Sequence, residues 1–314
     1  MENGTYSEVS KFVLQGLSQI WQIQLFFGVA LLLFYIMLLP GNILIIVTIL
    51  KTPSLKSPMF FFLANLAFLD IIYSFVIHPK LLLNIIFGYR RISYLGCISQ
   101  IFFIHFLGGA EMFLLIAMAV DRYVAICHPL HYATVVTSIA YWAMVAASWL
   151  GGFIHSIIQL ILIIPLPFCG PNELNNVLCD VTQILRLACI NTYTLEFFMF
   201  ASSGLMSIAS CILLLMSYGV LFLKVRMGSS PRKSKAFSTC ITIIIIIIII
   251  IIIIMFGPAI YIYCHPFQEY SFDKVVTFLH TVVFPLMNPI IYTLRNKETQ
   301  AAMWKLLNNI SYTC

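Results

Sequence analysis

The chain has 314 residues, of which 61% are apolar and 9% charged, against roughly 25% charged in a typical soluble domain. One water-soluble globule of this size cannot hide so much apolar surface, so the composition excludes that class. The net charge of +6 is scattered between apolar runs rather than clustered with aromatic residues. We therefore expect no nucleic acid partner.

Seven apolar runs are each long enough to cross a lipid bilayer. They span residues 25–50, 58–77, 97–120, 138–164, 195–223, 236–264 and 275–292. The first run exceeds the apolar core of a signal peptide and follows an acidic leader, so we expect it to be retained. The sequence predicts an all-α membrane protein with an extracellular amino-terminal segment (1–24), a seven-transmembrane helix bundle (25–292) and a cytoplasmic tail (293–314).

The Lys and Arg residues orient the chain, because cytoplasmic loops carry the excess of these residues. Eleven lie in the loops on the carboxyl-terminal side of the membrane and six on the other side, although Lys80, Arg90 and Arg91 oppose the trend. The glycosylation acceptor at Asn3, in the sequence Asn-Gly-Thr, is usable only outside the cell. We expect a plasma-membrane protein with its amino terminus outside and its carboxyl terminus in the cytosol.

Four cysteines lie in the segments predicted to face outward, namely Cys97, Cys169, Cys179 and Cys189. The oxidising exterior favours disulfides, so we expect two of them. The sequence alone allows three pairings, and the alternative is a set of reduced, buried thiols.

Two acidic residues, Asp70 and Glu111, lie within the second and third apolar runs. An ionisable residue at that depth is costly and is therefore a functional hypothesis. If the two carboxylates lie at one level, they share a proton or hold a cation such as sodium. Asn42 and Asn288 would be their polar neighbours. The alternative is a hydrogen-bonded network that only orients the helices.

The segment MAVDRYVAICHPLHY (118–132) closely resembles the signature of olfactory receptors, a branch of the rhodopsin-like G-protein-coupled receptors. Further matches follow in order along the whole chain. They are GN (41–42), PMFFFL (58–63) with Asp70, SY (217–218), KAFSTC (235–240) and NPIIYTLRN (288–296). The resemblance implies a receptor that binds small volatile ligands and activates a stimulatory G protein, which raises cAMP.

The resemblance assigns roles to matching positions. It implies disulfides between Cys97 and Cys179 and between Cys169 and Cys189, and a sodium site at Asp70 and Glu111. Arg122 would be held by Asp121 at rest and released to meet the G protein. The positions matched to coupling and activation are Asp121, Arg122, Tyr123, Tyr218, Asn288, Pro289 and Tyr292. Of these, Tyr218 and Tyr292 would swing inward to support the open form.

The resemblance also places an odorant pocket in the outer half of the bundle. The matching positions are His105, Gly108, Gly109 and Met112 in the third span, Met199, Ser202, Ser203 and Met206 in the fifth, Phe256, Ala259, Ile260 and Tyr263 in the sixth, and Thr277, Phe278 and Thr281 in the seventh. Helical spacing independently puts each of the first two groups on one helix face. Apart from a protonated His105 we expect no fixed charge there, and hence neutral or weakly polar ligands of ten to twenty heavy atoms, roughly what a pocket of 300–1,000 Å³ admits.

Two alternatives stay open within this pocket. Gly108 and Gly109 either line it or let a neighbouring helix pack closely. His105 either anchors a ligand or is satisfied by a backbone carbonyl.

The sixth span departs from the family pattern, since residues 243–254 are twelve consecutive isoleucines. About five residues more than usual separate Cys240 from Gly257, which adds about 7.5 Å and a net rotation of about 140° to a helix. The resemblance makes this span the one that opens to the G protein. We therefore hypothesise impaired signalling; the alternative is that a bulge or a shifted loop absorbs the excess.

The tail from 295 to 309 places Met303, Leu306 and Leu307 at helical spacing, which predicts a short amphipathic helix on the inner leaflet. An enzyme is excluded on motifs, because the sequence has no nucleophile elbow, Walker loop or paired metal-ligand spacing. A transporter or channel is the remote alternative, but the expected inverted repeats are missing. A non-odorant receptor of the same superfamily is the nearer alternative.

Overall fold

The computed structural model describes residues 10–18, 20–169, 172–227, 256–264, 273–282, 285 and 297–311, and this part is mainly helical. The helices are α1 (Trp21–Lys51), α2 (Pro58–Phe87), α3 (Tyr94–Cys127), α4 (Tyr132–Val135), α5 (Ser138–Ile163), α6 (Val181–Arg186), α7 (Tyr193–Met199), α8 (Leu205–Met227), α9 (Gly257–Cys264), α10 (273–282) and α11 (Lys297–Ser311). A π-helical segment, Phe200–Gly204, joins α7 to α8 into one long rod.

Five helices in the described residues are long and apolar enough to cross a membrane. They are Trp21–Lys51, Pro58–Phe87, Tyr94–Ala125, Ser138–Ile163 and Tyr193–Val220, and they coincide with the first five predicted spans. Most of the predicted sixth and seventh spans lies outside the described residues, including the isoleucine tract at 243–254. The number of seven spans therefore stays a prediction.

The second helix is longer than its apolar run predicts. It continues through Pro79 to Phe87 and ends at Gly88, whose φ of 66° gives the left-handed cap favoured by glycine. Just beyond the run, the Lys80 ammonium donates hydrogen bonds to the carbonyl oxygens of Tyr89 and Arg91, at 2.9 and 2.8 Å. Hydropathy marks the stretch that meets lipid, whereas the helix ends where its backbone is capped.

A small sheet that the sequence did not predict covers the end of the bundle next to the amino terminus. Strand β1 (Lys11–Leu14) lies between β2 (Arg91–Ser93), which is antiparallel to it, and β3 (Glu173–Leu174), which is parallel. Phe12 and Leu14 are fully buried in an apolar cluster with Phe168. The sheet thereby ties the amino-terminal segment to two loops at this end of the bundle.

The centre of the bundle is α3, which contacts α2, α5 and α8. The closest packing is between α3 and α5, where glycine permits it. A Cβ on Gly152 would lie 2.5 Å from the backbone nitrogen of Ala110, and one on Gly109 would lie 3.1 Å from the Gly152 Cα atom. Real Cβ atoms are not found at the shorter distance, so Gly152 is required for this helix spacing.

Candidate functional site

A cavity lies in the half of the bundle nearest the sheet, where α3 faces α5, the π-helical segment, α9 and α10. Nine of the predicted pocket residues line it. They are His105, Gly108, Gly109, Met112, Ser203, Met206, Ala259, Thr277 and Thr281. Four different predicted spans therefore contribute to one cavity.

The remaining predicted pocket residues do not line this cavity. Phe278 instead packs edge-on against Phe27 of α1, with ring centroids 5.1 Å apart. Met199 is fully buried in the apolar cluster beneath the sheet. Phe256 and Ile260 belong to the main core, and the hydroxyl of Ser202 accepts a hydrogen bond from Gln159. Their neighbours belong to other helices, which neither the family match nor spacing along one helix determines. The Tyr263 side chain lies outside the described part.

Two carboxyl groups that the sequence analysis did not place in the pocket line the cavity. They belong to Glu111 of α3 and to Asp180 in the loop that follows α5. Asp180 accepts a hydrogen bond from the Thr182 hydroxyl, and burial raises the pKa of the Asp180 carboxyl. The loop carries this residue over the cavity because its neighbour Cys179 is bonded to Cys97.

The cavity is small. Its volume is about 80 Å³, well below the 300–1,000 Å³ usual for ligand pockets. A ligand of ten to twenty heavy atoms therefore needs the walls to move. Met112 and Met206 are wall residues with flexible, unbranched side chains, which repack at low cost.

A polar network on α5 was missed by the sequence analysis. His155 lines the cavity with its ring centroid 5.5 Å from that of His105. Its Nε2 atom lies 3.4 Å from the Ser203 hydroxyl. The Gln159 amide donates to the hydroxyl groups of Ser202 and Ser203, at 2.8 and 3.2 Å. The four-residue spacing of His155 and Gln159 on one helix face was the available signal.

The two adjacent glycines of α3 have different surroundings. A Cβ on Gly108 would meet nothing within 4 Å, whereas one on Gly109 would meet Gly152 and His155. Gly108 therefore leaves cavity space open, and Gly109 also serves the close approach of α3 and α5. Both residues line the cavity, and only Gly109 also meets a neighbouring helix closely.

The predicted polar core is buried. Asp70 is 1% exposed, Glu111 3% and Asn42 0%. The Asn42 amide nitrogen donates to the Leu38 carbonyl at 3.3 Å, and within the described residues its Oδ1 atom accepts no hydrogen bond. Asn288 lies outside those residues. Amide and carboxylate oxygens are the donor types that a hard cation accepts, so these residue types fit sodium chemically.

At the opposite end of α3, the Asp-Arg-Tyr segment contacts two other helices. Asp121 is buried and accepts a hydrogen bond of 2.8 Å from the Tyr132 hydroxyl. Arg122 donates to the Tyr218 hydroxyl on α8. Tyr123 is exposed, with its ring 6.2 Å from that of His128. The resemblance implies that Tyr218 swings inward in the open form, and in this structure its hydroxyl group contacts Arg122.

Two disulfides are present, Cys97–Cys179 and Cys169–Cys189, with Cα–Cα distances of 5.5 and 5.3 Å. This pairing agrees with the one that the resemblance implies. Several other predicted positions lie outside the described residues, namely Asn3, Pro289 and Tyr292.

Long apolar helices around a polar-lined cavity, with an Asp-Arg-Tyr segment at the far end of the central helix, are typical of a membrane-embedded G-protein-coupled receptor. Residues 31–310 match the family model described as olfactory receptor. The chain belongs to the olfactory receptor family. Members of that family are receptors and not enzymes, in agreement with the motif analysis.

Similarity to individual relatives extends over nearly the full chain. It is 55% identical to human "Olfactory receptor 4M1" across 98% of this chain and 97% of the relative. It is 53% identical to human "Olfactory receptor 4N5" across 98% of both. The mouse "Olfactory receptor 4M1" is 54% identical across 98% of this chain and 97% of the relative.

Proposed function

We propose that this chain is an odorant receptor that binds small, mostly neutral volatile ligands in the cavity beneath the sheet. The observation that carries the proposal is the convergence of His105, Ser203, Ala259 and Thr281 from four predicted spans on one cavity. A ligand bound there would contact several helices at once and so change how they pack. A receptor needs two such packing arrangements of its helices, and the ligand favours one of them.

The ligand chemistry follows from the polar groups of the cavity wall. Imidazole and hydroxyl groups of His105, His155 and Ser203 offer hydrogen bonds to an alcohol or carbonyl oxygen. The Asp180 carboxylate is engaged by Thr182. These contacts support oxygen-containing neutral odorants. Amines are the alternative class of ligand, because the carboxyl group of Glu111 also lines the cavity. Substitution of Glu111 tests this alternative.

The proposed topology has seven spans, with the amino terminus outside and the carboxyl terminus in the cytosol. It is supported by the bias of Lys and Arg towards the loops on the carboxyl-terminal side. The helix α11 would then lie at the inner leaflet, with Ala302 and Met303 packed against the bundle and Trp304 exposed. Antibody access to both ends in intact cells tests this; two tags reachable from the same side would contradict it.

Coupling is proposed to a stimulatory G protein, which raises cAMP. The supporting observation is the contact between Arg122 and Tyr218, since it leaves the inner end of α3 in the arrangement expected when the partner is admitted. Sodium binding by Asp70 and Glu111 is proposed to favour the resting form, with the Asn42 carbonyl oxygen as a further ligand.

Impaired signalling is the second candidate function, favoured by the twelve isoleucines at 243–254. Isoleucine is well tolerated in lipid, but a uniform tract presents the same side chain at every rotation. The preferred rotation of the sixth span is then poorly defined. A variant shortened by five isoleucines is expected to restore the response.

The experiment combines surface staining with a cAMP readout in cells that express the full chain or the shortened variant. The panel holds an alcohol, a ketone, an amine and an acid on one carbon skeleton. We expect the alcohol and the ketone to activate, more strongly in the shortened variant. Activation by the amine alone, abolished by Glu111→Gln, would replace the neutral-ligand proposal, and surface staining without any response from either chain would contradict the receptor function.

A further inference from the structure

A second concavity lies on the outside of the bundle, at the opposite end from the odorant cavity. It is a groove of about 390 Å³ between the end of α1, the turn Pro53–Leu55, the start of α2 and Tyr141 of α5. We call it the lipid-facing groove. Ile49 and Leu55 are buried in its floor, and the rings of Phe61 and Tyr141 stand 5.1 Å apart in its wall. In the described residues it shares no lining residue with the odorant cavity.

The length of the groove matches one leaflet of a bilayer. Beginning at the residue before α2, its lining runs from Ser57 to Phe68, eleven residue steps that rise about 16 Å along a helix. The hydrocarbon core of a bilayer is about 30 Å thick, so this length is about half of it. Along this stretch Phe61, Ala64 and Phe68 are apolar, and the polar residues are Ser57 at the mouth and Asn65. The Asn65 amide nitrogen donates to its own helix at the Phe61 carbonyl, 2.9 Å away. The inside of the groove therefore suits an acyl chain.

The mouth of the groove is positively charged. Lys56 lines it and is exposed, and Lys51 ends α1 five residues earlier. The sequence has no acidic residue between Glu8 and Asp70, so no carboxylate in α1 or the first turns of α2 neutralises these lysines. Both belong to the set of basic residues predicted to face the cytosol, where the leaflet is rich in anionic lipid.

We propose that the lipid-facing groove binds one anionic phospholipid of the cytoplasmic leaflet. Its phosphate would contact Lys56 at the mouth, with Lys51 nearby, and one acyl chain would lie along α2 towards Phe68. A sterol has no anionic head group. A zwitterionic lipid has a phosphate but also brings a cationic group close to the two lysines, so the charge at the mouth favours a lipid with a net negative head group. The proposal rests on the proposed topology but not on the identity of the odorant.

The probe is phosphatidylserine with a photoreactive acyl chain, in nanodiscs of phosphatidylcholine that hold the purified full-length receptor. We expect cross-links to map to the groove. Lys56→Gln should reduce phosphatidylserine labelling about fivefold, and Lys56→Arg should retain it. Ala64→Phe, which fills the groove, should reduce labelling by both phosphatidylserine and the matched phosphatidylcholine probe.

The matched control is Lys305→Gln, which removes an exposed charge from α11, outside the groove. It should leave labelling unchanged. Equal labelling by the two lipid probes, insensitivity to Lys56→Gln, displacement by cholesterol, or cross-links only to a second copy of the chain would each overturn the proposal. Each variant is compared at equal monodisperse protein, so that a folding defect is seen separately from lost lipid binding.

Discussion

Arg122 of α3 donates a hydrogen bond to the hydroxyl group of Tyr218 on α8, and its guanidinium carbon lies 5.4 Å from the centre of the Tyr218 ring. The neighbouring Asp121 accepts a hydrogen bond from the Tyr132 hydroxyl group of α4. Two residues adjacent in sequence thus each hydrogen-bond to a different helix. Tyr218 joins α8 to α3 through Arg122, and we propose that this contact stabilises the open form of the receptor.

Tyr218→Phe tests this contact, because it keeps the ring and removes the hydroxyl group. A hydrogen bond to a charged group is worth about 1.5–3 kcal/mol, so the population of this arrangement should fall by about tenfold or more. Nucleotide exchange by the G protein, measured in membranes with equal receptor number, should decrease. Tyr89→Phe, at an exposed loop position, is the control, and an unchanged exchange rate in Tyr218→Phe would contradict the prediction.

The packing of α3 against α5 predicts opposite results for two glycine substitutions. Gly152→Ala places a methyl group against the backbone of α3 and should lower stability by about 1–3 kcal/mol. Gly108→Ala enters open space, so stability should be unchanged or slightly raised, since alanine is the better helix former. Thermal unfolding of the detergent-purified variants measures both, and equal midpoints would refute the assigned packing.

The two disulfides should differ in their contribution to stability. Their sequence separations are 82 residues for Cys97–Cys179 and 20 for Cys169–Cys189. Loop closure then gives about 4.5 and about 3.3 kcal/mol, respectively, in the chain-entropy model. Serine replacement of the first pair should lower the unfolding temperature more. Cys211→Ala, at a buried free thiol, controls for loss of a cysteine, and the reverse order of the two pairs would argue against this account.

The Asp180 carboxyl predicts a pH-dependent term in stability. Burial raises its pKa in the folded protein, so the folded state holds this proton more tightly than the unfolded chain does. The free energy of unfolding then falls as the pH rises from the unfolded pKa of about 3.9 through the folded pKa. Asp180→Asn should be more stable than the parent near neutral pH, and this advantage should shrink as the pH is lowered. A difference independent of pH would show that the carboxyl does not titrate in this way.

The sequence predicted the long helices well because lipid allows only apolar side chains on the outside of a span. Five predicted spans coincide with helices of the structure. The sheet was not predicted, because strands of two to four residues carry little pattern and the partner of Phe12 in β2, Ile92, is distant along the chain. The end of α2 was missed for a related reason, since the capping at Gly88 lies beyond the apolar run.

The candidate cavity was predicted in part. Helical periodicity grouped His105, Gly108 and Met112 correctly, because residues three and four apart share a face. It could not show that Phe278 turns towards Phe27, or that Asp180 folds over the cavity, since both depend on neighbours distant in sequence.

By itself the sequence determined that the chain is a membrane protein of helical spans, and its motifs determined the family, because apolar run length and local residue order are properties of the chain alone. Only the tertiary structure decided which helix each face meets. Gly152 against Ala110 and Arg122 against Tyr218 are such decisions. Their physical reason is that close packing and hydrogen bonding join residues far apart in sequence, and no local pattern encodes the distance between them.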